Sequence, residues 1–314
     1  MFFAKDWNPD GLHCYVTGGS TGLGLELAKL LTQKGAHVSI VARNQERLDH
    51  ALTQIETPME WQAVRKFPGQ QLHAYSFNLY TAADSAAALA AVCAPHSGNA
   101  PDAVFTCAGA ARPMYFVEMT EEDFRRGMDD AYWVQAWTIF AAVKLMVKQK
   151  RKGRLALVSS TLGYMSFVGW GSYAPGKQAL RGLADTLQSE LMLYPDLSVH
   201  IYFPPSILTP GFEAEQQDKP PIVKEVDIPG ERNNPRCCST FIFAGLAHIT
   251  SDFIADMFRA STRGVTPKQN WIKDAVLDML AYFVAPIWRS DVDRRVRASR
   301  EEHMAHLHKR GFFD

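Results

Sequence analysis

A glycine-rich turn near the start of the chain, between an apolar run and an apolar-periodic segment, constrains the fold most. The run His13–Thr17 reads HCYVT, and Gly18, Gly22 and Gly24 follow it. Leucines then recur at helical spacing up to Gly35, which suits a helix C-terminus. A strand that turns sharply into a helix begins a βαβ unit, and such units build parallel sheets covered by helices.

Alternation of strand and helix patterns continues along the chain to about residue 204. The patterns predict strands at 37–42, 72–77, 102–107, 154–159 and 197–203, and helices at 45–56, 81–93, 120–150 and 173–193. All of this fits in one α/β unit of the 314 residues. The sequence therefore predicts a single doubly wound parallel sheet (Rossmann-like), with helices on both faces and a helical C-terminal extension.

Composition excludes several classes of protein. Apolar residues make up 47% and charged residues 21%, which is typical of a globular protein and not of a disordered one. Lys plus Arg and Asp plus Glu are both 33, so there is no chain-wide basic field for nucleic acid, and we expect no nucleic-acid partner. The five cysteines form no CxxC pair, so we expect neither a metal site nor a disulfide framework. The N-terminal residues suggest neither a signal peptide nor a membrane span.

The glycine turn has the spacing of a phosphate-binding loop. Gly18 suits the sharp turn, Gly22 a close approach to a pyrophosphate, and Gly24 close packing of helix on strand. Free N–H groups at a helix N-terminus favour an anion. The turn therefore predicts a dinucleotide site, whose remaining residues are Ser20, Thr21 and Leu23.

The end of the second strand indicates which dinucleotide. An NAD site usually has a carboxylate here for the ribose 2′-hydroxyl, and the sequence has Arg43 instead. A guanidinium pairs well with a 2′-phosphate, and Ser20 and Arg47 are placed to help. We interpret Arg43 and Arg47 as one helical turn apart, and we expect NADPH as the cofactor.

A tyrosine and a lysine spaced for acid catalysis open the helix predicted at 173–193. Tyr173 and Lys177 are i and i+4 and share a helix face, and Pro175 suits the first turn. A nearby ammonium lowers the pKa of a phenol, which can then protonate a carbonyl oxygen as a hydride reaches its carbon. Ser160, at the end of the fifth strand, is placed to hold that oxygen by a hydrogen bond.

Together these motifs resemble the short-chain dehydrogenase/reductase superfamily over about residues 10–212. Within it, the chain most resembles the 3-ketodihydrosphingosine reductases. The supporting stretches are VTGGSTGLG, IVARNQERL, GRLALVSS, ALRGLADTLQSEL and YFPPSILTPGF.

The resemblance implies an enzyme that uses NADPH to reduce the 3-keto group of 3-ketodihydrosphingosine to dihydrosphingosine, in sphingolipid biosynthesis. It implies a long-chain amino-ketone lipid as substrate, a homodimer, and a place on the cytosolic face of the endoplasmic reticulum membrane. Ser160 would position the ketone, Tyr173 would donate the proton, and Lys177 would also bond the nicotinamide ribose. The further cofactor contacts would be Asn78, Leu79, Ala108, Gly109, Pro204, Ile207 and Thr209.

The chain departs from the family pattern at three places. Thr106 and Cys107 stand where two asparagines are usual, and Asn78 replaces an aspartate that meets the adenine. Ala131 replaces an asparagine that holds a water for the proton relay to the lysine. A dinucleotide-binding regulatory protein without catalysis is therefore an alternative, supported by Ala131 and opposed by the intact Ser160, Tyr173 and Lys177. A reductase of steroid or fatty acyl ketones is another.

Three regions are expected: a reductase core at 10–212, a substrate lid at 205–238 and a helical extension at 239–314. The predicted lid is rich in proline, and its apolar residues do not recur at a regular spacing. Its sequence therefore predicts neither helix nor strand. In the extension, residues 271–288 are apolar but interrupted by charges, and the uncharged run of 279–288 is too short to span a bilayer. The stretch 271–300 suits either an interfacial membrane helix or a helix packed on the body or on a second copy.

Overall fold

A seven-stranded parallel sheet lies at the centre of the computed structural model, which describes residues 7–56, 66–227, 243 and 245–313. The strand order is β3-β2-β1-β4-β5-β6-β7. The strands are β1 His13–Thr17, β2 His37–Ala42, β3 Leu72–Ser76, β4 Ala103–Thr106, β5 Gly153–Val158, β6 Leu197–Phe203 and β7 His248–Thr250.

Helices cover both faces of this sheet, because successive side chains of a strand point to opposite faces. Tyr15 packs in a cluster with residues of α3, α5 and α6, and its neighbour Val16 packs in a second cluster with residues of α1 and α2. The helices are α1 Gly22–Gln33, α2 Gln45–Glu56, α3 Ala82–Cys93, α4 Glu121–Met128, α5 Val134–Lys148, α6 Ala174–Glu190, α7 Pro210–Asp218, α8 Pro221–Val226, α9 Phe253–Thr262, α10 Trp271–Ala298 and α11 Arg300–Lys309.

The predicted fold class is confirmed, and the first six strands lie where the patterns placed them to within a residue. The seventh strand was missed because three residues are too few to show a period. The long helix predicted at 120–150 is two helices joined by a π-helical turn at Asp129–Trp133. Its predicted capping box is present: Thr120 Oγ1 accepts from Asp123 N at 3.1 Å, and Asp123 Oδ2 accepts from Thr120 N at 3.1 Å.

The prediction that 205–238 contains neither helix nor strand is wrong for residues 210–226, which form α7 and α8. The prolines do not oppose these helices, because Pro210 and Pro221 lie in the first turn, where no backbone donor is needed. Thr209 caps α7 by accepting from Phe212 N at 3.1 Å. Residues 228–238 of the predicted lid lie outside the described residues, and the boundaries at 212 and 239 stay a prediction.

Buried charges join the C-terminal helices α9 and α10 to each other. Arg259 on α9 donates through Nη2 to Asp274 Oδ1 of α10 at 2.5 Å and through Nε to Asp256 Oδ1 at 2.6 Å. On α10, Leu277 and Ala281 are buried against the body. In the ranges that the structure describes, no helix is both long and apolar enough to cross a bilayer.

Four histidines meet at the amino ends of β1, β2 and β3. The rings of His13 and His96 stack with centroids 3.6 Å apart, and His37 and His73 lie edge-on to His96 at 5.9 and 6.3 Å. The pKa of His13 is lowered to about 3, mainly by burial and further by the positive charges of the other three histidines. Burial also lowers the pKa of His73 and of His96, although Asp102 opposes the shift at His96. The folded protein therefore favours the neutral forms of His13, His73 and His96.

We predict that the folded state loses stability as the pH falls below about 6.5, the ordinary histidine pKa. The folded pKa values lie below the unfolded ones, so their contribution is fully present above that pH and is lost toward lower pH. His96→Gln removes one positive neighbour of His13 and should flatten the decline by about 1 to 2 kcal/mol at pH 5. Urea unfolding at pH 7 and pH 5 measures this. His50→Gln, at an exposed position of α2, is the control, and equal pH dependence in all three proteins would contradict the prediction.

Candidate active site and cofactor cleft

The carboxyl ends of the strands open into one cleft of ≈ 2410 Å³. Ligands of open α/β sheets bind at this edge, where the strand order reverses on either side of β1 and β4. The structure brings every predicted site residue to this cleft, and their individual roles stay predictions. They are Gly18, Ser20, Thr21, Gly22, Leu23, Gly24, Arg43, Arg47, Asn78, Leu79, Ala108, Gly109, Ser160, Tyr173, Lys177, Pro204, Ile207 and Thr209.

The glycine turn needs glycine for both conformation and space. Gly18 has φ +67, and a Cβ there would lie 2.8 Å from the backbone of Ala108 at the end of β4. Gly22 has φ +57, and its Cβ would lie 3.1 Å from Thr209 Cγ2. Thr21, the N-cap of α1, makes no side-chain capping bond. The first N–H groups of α1 are thus available to an anion, and the turn fits a pyrophosphate.

Arg43 lies at the open end of the cleft, just after β2. It precedes α2, so the expected one-turn helical spacing from Arg47 is wrong: Asn44 caps the helix between them and accepts from Arg47 N at 2.8 Å. Both arginines are nevertheless exposed in the same cleft. Arg43 Nη1 donates to Tyr80 Oη at 2.7 Å, and that hydroxyl donates to Asp130. Tyr80 therefore supports the guanidinium from the β3 side, a partner that sequence spacing did not reveal.

Tyr173 and Lys177 lie on the first turn and a half of α6, facing the end of β5. Lys177 is buried, and its Nζ lies 5.4 Å from the centre of the Tyr173 ring. It donates to the carbonyl of Val158 at 3.0 Å. Burial lowers the pKa of Lys177 to about 7, although Cys107 opposes the shift. This lysine therefore changes charge near neutral pH.

The expected lowering of the Tyr173 pKa is wrong for this structure. Burial raises the pKa of Tyr173, the negative charge of Glu215 raises it further, and a hydrogen bond with Ser160 lowers it. Lys177 does not counter these effects, because its own charge is destabilised by burial and its ammonium is directed at Val158. In this form the phenol is held in its protonated state, and Ser160 lies beside it as expected.

Ala131 is fully buried in the π-helical turn and packs against α6. A Cβ at Gly176 would lie 2.6 Å from Ala131 Cβ, so these helices approach closely only because residue 176 is glycine. Position 131 supplies no polar side chain toward Lys177. The side chain at position 131 therefore cannot hold a relay water by a hydrogen bond.

A charged group that the sequence did not predict lies in the same cleft, near Trp170. Lys219, buried at the end of α7, donates to Glu215 Oε1 at 3.0 Å and contacts Asp227. Its Nζ lies 4.9 Å from the centre of the Trp170 ring. All four residues line the cleft. The i, i+4 spacing of Glu215 and Lys219 could have predicted this ion pair, but only if the stretch had been predicted as a helix.

The last helix, α11, lines the rim of the cleft. On α11, His306 Nε2 lies 2.8 Å from Glu118 Oε1, and Arg310 Nη1 donates to the same oxygen at 2.9 Å. Tyr115 packs on His303 with ring centres 4.1 Å apart. The C-terminal extension therefore forms part of the rim of the cleft.

Comparison with known proteins gives one consistent answer. The family model for short chain dehydrogenase matches residues 13–220. A 3-ketodihydrosphingosine reductase of Cryptococcus neoformans is 36% identical over 99% of this chain and 92% of its own length. One of Aspergillus fumigatus is 34% identical over 88% of this chain and 81% of its own. The 3-dehydrosphinganine reductase of Danio rerio is 30% identical over 82% and 76%.

Solved structures agree on the fold. A short-chain type dehydrogenase/reductase from Mycobacterium ulcerans superposes with a TM-score of 0.65 over 78% of this chain and 89% of its own, at 21% identity. Another protein described as a short chain dehydrogenase/reductase family protein gives a TM-score of 0.59.

Tyr173→Phe should lower the rate of ketone reduction at least about 100-fold, because it removes the proton donor. Dinucleotide binding should change less than about threefold, because the glycine turn is intact. Single-turnover rates and cofactor fluorescence titration measure the two effects. Tyr194→Phe, half-exposed beyond α6, is the control. Ordinary activity in Tyr173→Phe would refute the assigned role.

Proposed function

Because the chain belongs to the short-chain dehydrogenase/reductase family, we propose that it uses NADPH to reduce the 3-keto group of 3-ketodihydrosphingosine to dihydrosphingosine. The observation that carries the proposal is the meeting of Ser160, Tyr173 and Lys177 with a phosphate-binding glycine turn in one cleft. The names of relatives matched over nearly the whole chain support the substrate.

The residues of the cleft fit a nicotinamide dinucleotide. The uncapped start of α1 suits the pyrophosphate, and Arg43 suits the 2′-phosphate. Lys177 would hold the nicotinamide ribose, and Ile207 and Thr209 the carboxamide. When bound, NADPH supplies the hydride.

The protein's own part of the reaction is to hold the ketone and deliver a proton. Ser160 and Tyr173 would both donate to the ketone oxygen. As negative charge develops there, the phenol proton moves to the oxygen, and the donors bind the transition state more strongly than the ground state. Lys177, with a pKa of about 7, can then return a proton toward Tyr173.

We predict a preference for NADPH over NADH that depends on Arg43. Arg43→Asp places a like charge beside the 2′-phosphate and should lower the NADPH-to-NADH ratio of kcat/KM at least about tenfold. Steady-state oxidation of both cofactors with 3-ketodihydrosphingosine measures this ratio and tests the function at the same time. Arg125→Asp makes the same charge change on exposed α4 and should have no effect. No turnover of this ketone would reject the function, and equal use of both cofactors would reject the role of Arg43.

We further propose that the protein binds a membrane surface through α10, on the cytosolic face of the endoplasmic reticulum. One side of α10 packs on the body, and the other exposes large apolar residues. Exposed apolar and aromatic side chains on such a helix are typical of interfacial binding. They are Trp271, Ile272, Val276, Met279, Tyr282, Phe283 and Ile287.

Ile272→Asn with Ile287→Asn should reduce co-sedimentation with phosphatidylcholine–phosphatidylserine vesicles at least about fivefold, because both side chains are more than 70% exposed. The matched control is Met192→Asn with Leu193→Asn, which changes two residues of similar exposure outside α10. Binding that is unchanged in the α10 variant, or absent in the unaltered protein, would contradict the membrane proposal. A fluorescent fusion outside the endoplasmic reticulum would contradict the location.

A second copy of the chain is the partner we propose for the outer face of α5. Trp133 and Trp137 stack there at 4.8 Å, and Phe140 is 48% exposed. Aromatic residues are enriched in protein interfaces. Light scattering should give twice the 35.1 kDa chain mass, and a mass of one chain would reject the homodimer.

A further inference from the structure

Glu215 is a carboxylate placed inside the cleft beside the catalytic tyrosine. It lies on α7, which follows directly from the loop that carries Thr209, and its side chain is 14% exposed. Its negative charge acts on Tyr173 strongly enough to raise the pKa of that phenol. Trp170 connects the two regions: its ring lies 5.6 Å from that of Tyr173 and 4.9 Å from Lys219 Nζ.

Among the residues that the structure describes, the charges around Glu215 do not balance. One buried ammonium, that of Lys219, faces two carboxylates, those of Glu215 and Asp227. Burial raises the pKa of Glu215, as does Asp227, while Lys219 lowers it. A partly buried group with one excess negative charge is stabilised by a cation that supplies the missing partner.

The proposed substrate carries such a cation. In 3-ketodihydrosphingosine an amine is bonded to the carbon next to the ketone. When the ketone oxygen is held by Ser160 and Tyr173, the ammonium must therefore lie within a few ångströms of Tyr173. Glu215 lines the same cleft as Ser160 and Tyr173, and it is ion-paired to Lys219, whose Nζ lies over the Trp170 ring that packs beside Tyr173.

We propose that Glu215 receives the ammonium group of the substrate and thereby selects 2-amino ketones over ketones that lack the amine. The inference rests on the proposed function and names the residue that would read the substrate's head group. Lys219 and Asp227 are positioning residues, since Lys219 holds the Glu215 carboxylate by an ion pair and Asp227 holds Lys219 by another.

The same contact favours the reaction itself. Without a cation, the charge of Glu215 opposes negative charge on the neighbouring oxygens. With the ammonium in place, that charge is neutralised, and the ammonium stabilises the oxygen that becomes negative during hydride transfer. A ketone without an amine leaves Glu215 unpaired and gains no such stabilisation. The discrimination should therefore appear in the chemical step as well as in binding.

The test compares 3-ketodihydrosphingosine with 1-hydroxyoctadecan-3-one, the same chain without the amine, at saturating NADPH. The unaltered enzyme should favour the amino ketone in kcat/KM by about 10- to 100-fold. Glu215→Gln should remove most of that preference by lowering kcat/KM for the amino ketone. The value for the analogue should stay the same or rise, because the charge that opposes the developing oxyanion is removed. Glu213→Gln, exposed on the same helix, should change neither, and Glu215→Asp should retain the preference.

The other possible results would overturn either the inference about Glu215 or the proposed function. An equal fall on both ketones in Glu215→Gln means that the residue only supports α7, and overturns the inference. So does equal turnover of the two ketones by the unaltered enzyme, whether or not a variant folds. Failure of the unaltered enzyme to reduce either ketone rejects the proposed function instead. NADPH titration and thermal unfolding of each variant separate lost recognition from lost structure.

Discussion

The close approach of β1 and β4 at their carboxyl ends is the constraint on which the site depends. The two strands are neighbours in the sheet, but the chain leaves them toward opposite sides. A crevice forms there only if the turn after β1 stays close to the sheet. Gly18 makes this possible, since a Cβ there would lie 2.8 Å from the Ala108 backbone. The same requirement at Gly22 brings the cofactor turn against Thr209, and so joins the first βα unit to the segment that carries α7.

Two charged groups in that crevice influence the acidity of Tyr173. Lys177 lies on one side of Tyr173, buried so that its pKa falls to about 7. Glu215 lies on another side, and its charge together with burial raises the Tyr173 pKa. A phenol between these groups is a proton donor whose strength depends on what binds beside it. A cationic head group near Glu215 would weaken the influence that keeps the proton on the phenol.

Sequence patterns predicted the core of the fold well, because its elements are local and periodic. The strands follow from alternating apolar residues, and the Tyr173–Lys177 pair follows from its i, i+4 spacing. Both patterns are local and do not depend on the rest of the fold. The three-residue β7 carries too little pattern, and α7 and α8 were missed because proline was taken as a breaker, although Pro210 and Pro221 occupy first turns. Those helices carry Glu215 and Lys219, so the same error concealed the substrate side of the site.

Contacts between distant segments could not be predicted at all. Tyr80 reaches Arg43 across 37 residues, and His306 reaches Glu118 across 188. The second of these contacts ties the last helix to the rim of the cleft. α10, with its exposed apolar face, precedes that helix directly in the chain, and the described residues contain no membrane-crossing helix. Under the membrane binding proposed above, the helix that meets the lipid would be joined through α11 to the rim of the cleft. A lipid with a polar head and a long tail could then pass from the membrane surface to the cleft with its head leading.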